Sequence, residues 1–327
     1  MIVSSYKYFE KIRKLKINDY LKAEFISDLC RINTLTMIKI AGSGHIGTSM
    51  SAMDLFVWIK HFEYHNKLKN LKSKNRNIFF SSKGHDVPAL YSVLYSLGVL
   101  KLNDILKLRK IDGLDGHPDL SIKGIEANTG SLGMGISKAK GMCWAKNKLG
   151  HKGSVVVLTG DGEFQEGQIF ESLQTTSHQN INNLIVIIDH NKIQSSQYVK
   201  NIIDLRDLKR KVEAFGWHVE RCDGHSFSKI DQVFKKFEKI KNKPKLLIAD
   251  TIKGKGLNKI EHTKVMKKNK YYNWHSGAPS DKEYNEMIKE IVSRIKKKII
   301  KNRLNFDPFE KIEKNKLIKS YKSLDIH

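Results

Sequence analysis

Val155-Val156-Val157-Leu158-Thr159-Gly160-Asp161-Gly162, followed by Leu184-Ile185-Val186-Ile187-Ile188-Asp189-His190-Asn191-Lys192, decides the reading of this 327-residue chain. Each stretch is an unbroken apolar run closed by polar and turn-forming residues. Continuous rather than alternating apolar residues mark strands covered on both faces, as in a parallel sheet. Residues 167–179 between them carry a helical pattern, so the segment predicts a β-α-β unit with Asp161 and Asn191 at matching strand ends. Two hard oxygen ligands so placed suit Mg²⁺, with water and phosphate oxygens completing an octahedron. Gly160 and Gly162 would let the backbone approach a phosphate, and the helix after Gln165 offers free N–H groups near the same spot. Taken alone, Asp161 between two glycines would also serve as a plain turn residue.

Working outward, apolar residues Leu21, Phe25, Leu29, Ile32 and Leu35 predict an amphipathic helix over 21–40, broken at Gly42. A loop at Ser43–Gly47 leads into a helix with Met53, Phe56, Val57 and Phe62 on one stripe. Residues 77–82 read as a short strand ending at Lys83-Gly84-His85, and 89–97 as a helix. Glycines punctuate 113–135, which reads mainly as loop before a small-residue helix over 136–148. Further strands are expected at 217–221 and 246–251 around a helical stretch at 227–240. The fold class is therefore α/β: a doubly wound, mainly parallel sheet with helices on both faces and ligands at the strand carboxy termini. Residues 1–280 form the expected binding domain and 281–327 a helical, basic C-terminal extension.

The formal net charge of +25 raises nucleic-acid binding, but lysine is spread along the whole chain rather than gathered into one stripe. Its expected role is to attract anionic small molecules, with no nucleic-acid partner. No early apolar stretch reaches the length of a signal h-region or a membrane span, so the expected location is cytoplasmic. Cys30, Cys143 and Cys222 are far apart and form no Cys-x-x-Cys pair, which argues against a disulfide framework or a thiolate metal site. Gly42-Ser43-Gly44-His45-Ile46-Gly47 matches the dinucleotide fingerprint G-x-G-x-x-G, yet it follows a helical stretch and lacks the spaced acidic residue, so NAD binding is not expected.

Six pieces stand in one order: Ser43-Gly44-His45-Ile46-Gly47, Lys83-Gly84-His85, Gly116-His117-Pro118, Thr129-Gly130-Ser131-Leu132-Gly133-Met134-Gly135, Gly160-Asp161-Gly162-Glu163-Phe164-Gln165-Glu166-Gly167 and Asp189-His190-Asn191-Lys192-Ile193. Together, over roughly 25 to 280, they resemble the transketolases, a thiamin-diphosphate-dependent family. The resemblance implies a diphosphate-binding (PP-type) domain with thiamin diphosphate and Mg²⁺, for which Ca²⁺ or Mn²⁺ can substitute. It implies Asp161, Asn191 and the Ile193 carbonyl as metal ligands, and Gly130, Leu132, Gly133, Gly160, Gly162, Glu166, His85 and His275 as cofactor-binding positions.

It also implies that His45, His85, His117 and His275 line a channel for sugar hydroxyls and protons. Imidazole is both donor and acceptor near neutrality. Two departures stand out: Ile46 replaces the family's usual proline, and His275-Ser276-Gly277-Ala278-Pro279 carries one inserted residue. Glu166 resembles a glutamate that meets its symmetry mate, while an acidic residue at a helix start is its ordinary explanation. Lys253-Gly254-Lys255-Gly256 sits where the family covers the diphosphate, although a solvated basic turn fits as well. His61, His65, His178, His218 and His225 match nothing and read as structural or exposed.

A full transketolase continues into a pyrimidine-binding domain and a third domain, whereas this sequence stops after the first. The resemblance therefore implies the N-terminal half of a split transketolase, transferring a two-carbon ketol unit from a ketose phosphate to an aldose. Activity would require a partner subunit carrying the pyrimidine-binding half, in a heterotetramer with two copies of each chain. The competing readings are a subunit of another thiamin enzyme, such as a 2-oxoacid dehydrogenase α chain or a deoxyxylulose phosphate synthase fragment, and a noncatalytic regulatory subunit.

Overall fold

The apolar runs become neighbouring strands of one five-stranded parallel sheet, ordered β1-β2-β3-β5-β4. The strands are β1 Ile78–Ser81, β2 Val155–Gly160, β3 Leu184–His190, β4 His218–Asp223 and β5 Lys245–Asp250. The computed structural model describes residues 1–63 and 73–312, so His65 and the last part of the expected extension lie outside the described residues. Alternate side chains of each central strand enter different cores. Val156, Leu158, Ile185, Ile187 and Leu247 join the larger cluster, whereas Val155, Val157, Val186, Ile188 and Leu246 join the smaller. Both faces are covered, which is why the runs contain no polar alternation.

Helices α1 Tyr6–Lys14, α2 Asp19–Ala41, α3 Ile46–Val57, α4 Val87–Ser96, α8 Phe227–Lys239 and α9 Asp281–Lys301 contribute to the larger core. The smaller core takes α5 Gly135–Lys148, α6 Gly167–His178 and α7 Leu208–Ala214. Helix α2 is the central one: the Asn18 side chain caps its start by accepting from the Leu21 N–H at 2.8 Å, and everything from Phe25 to Ile38 is buried. It ends at Gly42, whose φ of 74° is left-handed and whose N–H returns to the Ile38 carbonyl. The stretch Gly42–Gly47 therefore joins two helices, which removes the strand-to-helix setting a dinucleotide fingerprint needs.

Local differences from the sequence reading have physical causes. The stripe running to Phe62 does not form one helix, because α3 ends at Val57 and the chain widens into a π-helical turn, Trp58–Glu63. There Trp58 stacks on Phe62 at 5.0 Å and on Phe227 at 5.9 Å between ring centroids. From 281 onward, where an extension is expected, α9 opens with a Ser280/Glu283 capping box and buries Tyr284, Met287, Ile288, Ile291, Ile295 and Ile299 at helical spacing. That face packs into the larger core. Among the described residues no helix is long and apolar enough to cross a membrane.

Ile187 lies at the middle of β3 and is fully buried. Ile187→Ala should lower unfolding stability by about 2–5 kcal/mol, read from the urea midpoint, because the cavity cannot collapse against a sheet packed on both sides. A loss within experimental error would show that this strand is not the packed centre of the sheet.

Candidate functional site at the strand tips

Parallel pairing in register brings the carboxy ends of β2, β3 and β5 together: Gly160 pairs with Asp189, and Asp189 with Ala249. Asp161 and Asn191 thus leave adjacent strands. Asp161 is 2% exposed, and both hydrogen bonds it accepts come from backbone N–H groups, of Gly162 and of Lys192. Burial lifts its pKa above the ordinary carboxylate value, against the charge of nearby His190. The Asn191 Oδ1 accepts from the Ile193 N–H at 3.1 Å, and its Nδ2 donates to Asp189. The Ile193 carbonyl accepts from the Lys253 ammonium at 3.1 Å. Among the described residues no three His, Cys, Asp or Glu side chains gather into a metal cluster. The expected ligand set would contain only one such side chain, the rest being amide and carbonyl oxygens.

Beneath these tips lies a buried ionic network that sequence reasoning missed. Asp189 is fully buried and accepts from Lys83 Nζ and Ser51 Oγ, each at 2.6 Å, as well as from Asn191 and Thr251. Lys83 also donates to Thr48 at 2.9 Å and sits 3.2 Å from Asp86. Burial alone would raise the Asp189 pKa, but the Lys83 ammonium and the hydroxyl donors hold it below the usual value. Burial likewise opposes the Lys83 charge, and the two carboxylates more than offset it. A second buried acid, Glu163, accepts from the Gly133 N–H at 2.9 Å, the Gly160 N–H at 3.1 Å and the Ser82 hydroxyl. It ties the glycine-rich loop to the tip of β2. Glu166, expected at the cofactor, is exposed at the start of α6 with its side chain against Gly133. Of these residues only Asp189 carried a local signal, a charge closing a fully apolar strand.

The glycines at this level have a measurable reason. Gly84 has a φ of 65°, and a Cβ there would lie 2.7 Å from Gly130 backbone atoms. Gly130, with a φ of 138°, passes so close to His117 that a Cβ would meet its ring at 2.8 Å. No side chain fits at either point. Leu132 is 42% exposed beside them.

Three of the expected histidines form one cluster: ring centroids lie 5.0 Å apart for His45–His85, 5.1 Å for His45–His275 and 5.7 Å for His85–His275. His117 stands at the exposed edge over Gly130. The His85 Nδ1 lies 2.6 Å from the Lys83 carbonyl and must donate to it, which leaves Nε2 as the free acceptor when the ring is neutral. The His45 Nδ1 is buried without a hydrogen-bond partner. Burial, with the charges of Arg109, His117 and Lys253, pushes the His45 pKa down to about 4, and burial beside Lys253 takes His275 to about 3. His85 is likewise lowered, mainly by burial and then by Lys83.

The Lys253–Gly256 loop closes this side. Lys253 is buried, reaches His275 Nδ1 at 3.3 Å, and is pushed down to about 8, chiefly by burial. Its own N–H donates to His262 Nδ1 at 3.1 Å, a histidine the sequence reading passed over. His225, read as structural or exposed, joins this loop to Asp54: its Nε2 accepts the Ile252 N–H and its Nδ1 faces the carboxylate, both at 2.8 Å. The Gly254 N–H donates to the Gly47 carbonyl, linking the loop to the start of α3.

The parallel sheet with helices on both faces places the chain among doubly wound α/β proteins. Residues 22–268 match the transketolase, thiamine diphosphate binding domain family, and the chain belongs to that family as the counterpart of the N-terminal part of a transketolase. It is 33% identical over 279 residues to an apulose-4-phosphate transketolase subunit from Phocaeicola vulgatus, covering 84% of this chain and 95% of that protein. It is 34% identical over 276 residues to human transketolase, covering 83% of this chain but only 42% of that one. The transketolase structure from Leishmania mexicana superposes with a TM-score of 0.73 at 22% identity, over 84% of this chain and 41% of that chain, which bears on the fold alone.

The imidazole cluster yields a pH prediction. The ordinary histidine value is 6.5, and His45 and His262 fall to about 4 in the folded chain. Below 6.5 the unfolded chain therefore binds protons that the folded chain refuses. The contribution of these groups to stability is complete above that pH and is lost as the pH falls toward 4. NMR titration of the imidazole protons should show midpoints well below 6.5 for His45, His262 and His275. Midpoints near 6.5 would mean that the cluster is open to water.

Proposed function

We propose that this chain is the diphosphate-binding subunit of a two-polypeptide transketolase, moving a two-carbon ketol unit from a ketose phosphate to an aldose acceptor. The observation that carries the reading is the pairing of Gly160 with Asp189, which sets Asp161 and Asn191 at adjacent strand ends beside a cluster of uncharged imidazoles. The chain spans less than half the length of the full-length transketolases it matches but nearly all of a relative named as one subunit of a transketolase. A second polypeptide with the pyrimidine-binding half is therefore part of the proposal, in an assembly of two copies of each chain. The three free cysteines are in keeping with a reducing, cytoplasmic setting.

The residues fit the expected groups. A buried carboxylate whose pKa is raised gains most from a divalent cation, and Asp161, the Asn191 amide oxygen and the Ile193 carbonyl would hold Mg²⁺, or Ca²⁺ or Mn²⁺ in its place. The Gly84–Gly130 contact keeps this wall free of side chains where a cofactor would lie. Lys253 adds a buried ammonium suited to diphosphate oxygens. Thiamin diphosphate, when bound, supplies the thiazolium carbon that carries the two-carbon unit. The chain's own residues bind and orient. His45 and His275, neutral at pH 7, can accept protons from or donate hydrogen bonds to sugar hydroxyls, and His85 presents Nε2 as an acceptor. His117, at the exposed edge, is placed to exchange a proton with an incoming sugar.

The purified chain should show no ketol transfer alone. With the pyrimidine-domain chain it should become active in a manner dependent on thiamin diphosphate and Mg²⁺, and chelation should abolish that activity reversibly. Full activity from the isolated chain, or turnover of pyruvate in place of a ketose phosphate, would contradict the reading. In the complex, His117→Ala should lower the rate by about 10²- to 10⁴-fold, the usual range for a general acid–base group; an unchanged rate would remove that role.

A further inference from the structure

Helix α9 lies outside the stretch matched to the family, residues 22–268, yet one of its side chains reaches the loop that closes the cofactor side of the site. The Arg294 guanidinium donates through Nη1 to the Gly256 carbonyl at 2.9 Å. Its remaining nitrogens grip the buried Asp28 carboxylate on α2, with Nη2 at 2.9 Å. From α2, the Arg31 guanidinium donates through Nε to the neighbouring Lys255 carbonyl at 3.2 Å and through Nη2 to Asp54 at 2.7 Å. Two guanidinium groups thus hold two consecutive carbonyls of the Lys253–Gly256 turn from beneath. Both are fixed by buried acids, since Asp28 and Asp54 are 3% and 5% exposed.

On its N–H side the turn is held elsewhere, Gly254 donating to the Gly47 carbonyl and Gly256 to Glu261 at 3.0 Å, so the two guanidinium groups supply the side-chain hold on its carbonyls. Gly254 and Gly256 have φ values of 83° and 88°, a region where glycine alone is at ease. A Cβ on Gly256 would lie 3.2 Å from both Arg294 and Arg31, so the clamp and the missing side chain are one feature. At the other end of the turn, Lys253 extends its ammonium to the Ile193 carbonyl and to His275. That ammonium rides on a turn held at one end by the His262 contacts of Lys253 and at the other by the two guanidinium groups.

We infer that Arg294 is a positioning residue for the diphosphate: through Gly256 and Asp28 it fixes the Lys253–Gly256 turn, and with it the buried ammonium at the strand tips. This rests on the functional reading above and adds a control point on a helix beyond the matched family region. A guanidinium suits the task because its planar fork serves a carboxylate and a carbonyl at once, which an ammonium on a flexible stem does poorly. Lys298 contacts Asp28 and Glu24 but is not bonded to the turn, so it provides a control on the same helix.

The test uses the full chain, with binding of thiamin diphosphate in the presence of Mg²⁺ followed by titration calorimetry. Hydrogen exchange of the amides of residues 252–257 is followed in parallel without cofactor. Arg294→Met should weaken binding by about tenfold or more, the scale of one charge-assisted hydrogen bond, and speed exchange in the turn while β3 amides stay protected. Arg294→Lys should fall between, and Lys298→Met should bind within about twofold of the native chain. If Arg294→Met does not fold, Arg294→Lys carries the test. Native affinity and native exchange in whichever Arg294 variant folds would overturn the inference while leaving the functional reading intact. A native chain that binds no thiamin diphosphate, alone or with the chain carrying the pyrimidine-binding half, would overturn both. Equal weakening by Lys298→Met would reduce Arg294 to a contributor to general helix stability and so overturn the positioning role.

Discussion

Asp189 and Lys83 form a fully buried ion pair on which the arrangement of the site depends. Neither charge tolerates burial alone, and the idealised penalty for one is so large that each must have the other. Once paired, they gather polar groups from several elements. Thr48 and Ser51 on α3, Asn191 after β3 and Thr251 after β5 all donate to, or accept from, this one pair. Each of those residues is a short step from something that faces the candidate site. Thr48 follows His45, Lys83 precedes His85, Asn191 is itself an expected ligand, and Thr251 leads to Lys253. The pair does not so much add stability as restrict the loops to one arrangement, because any other would leave a charge unpartnered in a dry interior.

Around that centre the charges are sorted. The cations, Lys83 and Lys253, sit deep at the strand tips where an anion is expected, and the imidazoles nearby are kept neutral by the same burial and by those cations. The acids Asp161 and Glu163 are held by backbone N–H groups instead. Such a layout favours an anionic ligand tail against the strand ends and uncharged, hydrogen-bonding chemistry above it. The chain's large positive charge contributes to attraction at a distance, but the local order comes from burial.

Much of this was legible in the sequence, and what was not shares one physical reason. Strands β2 and β3 announce themselves because both faces are buried, so every residue from Val155 to Leu158 and from Leu184 to Ile188 had to be apolar. The ligand candidates then follow from where the apolar runs stop. Glu163 and Lys83 were opaque because the partners that tie them to the site, Gly133 for one and Asp189 for the other, lie 30 and 106 positions away and are set by the fold rather than by local pattern. Asp189 was visible as the end of a strand, yet nothing local distinguishes a charge that caps a strand from one that anchors three loops. The contacts of His225 and Arg294 were hidden for a similar reason, since the turn they serve lies 27 and 38 residues away. The π-helical turn after Val57 departs from a periodicity that a straight helix would have satisfied equally well.

A double-mutant cycle on Lys83 and Asp189, measured as unfolding free energy in urea, tests the central claim most directly. Lys83→Met should cost about 3–5 kcal/mol because it strands Asp189 in the interior, and Asp189→Asn should cost less because Asp86, 3.2 Å away, still faces Lys83. The two together should cost clearly less than the sum of the single losses, since neither charge is then left unpartnered. Losses that simply add would show that the pair is not the constraint on which the site is built.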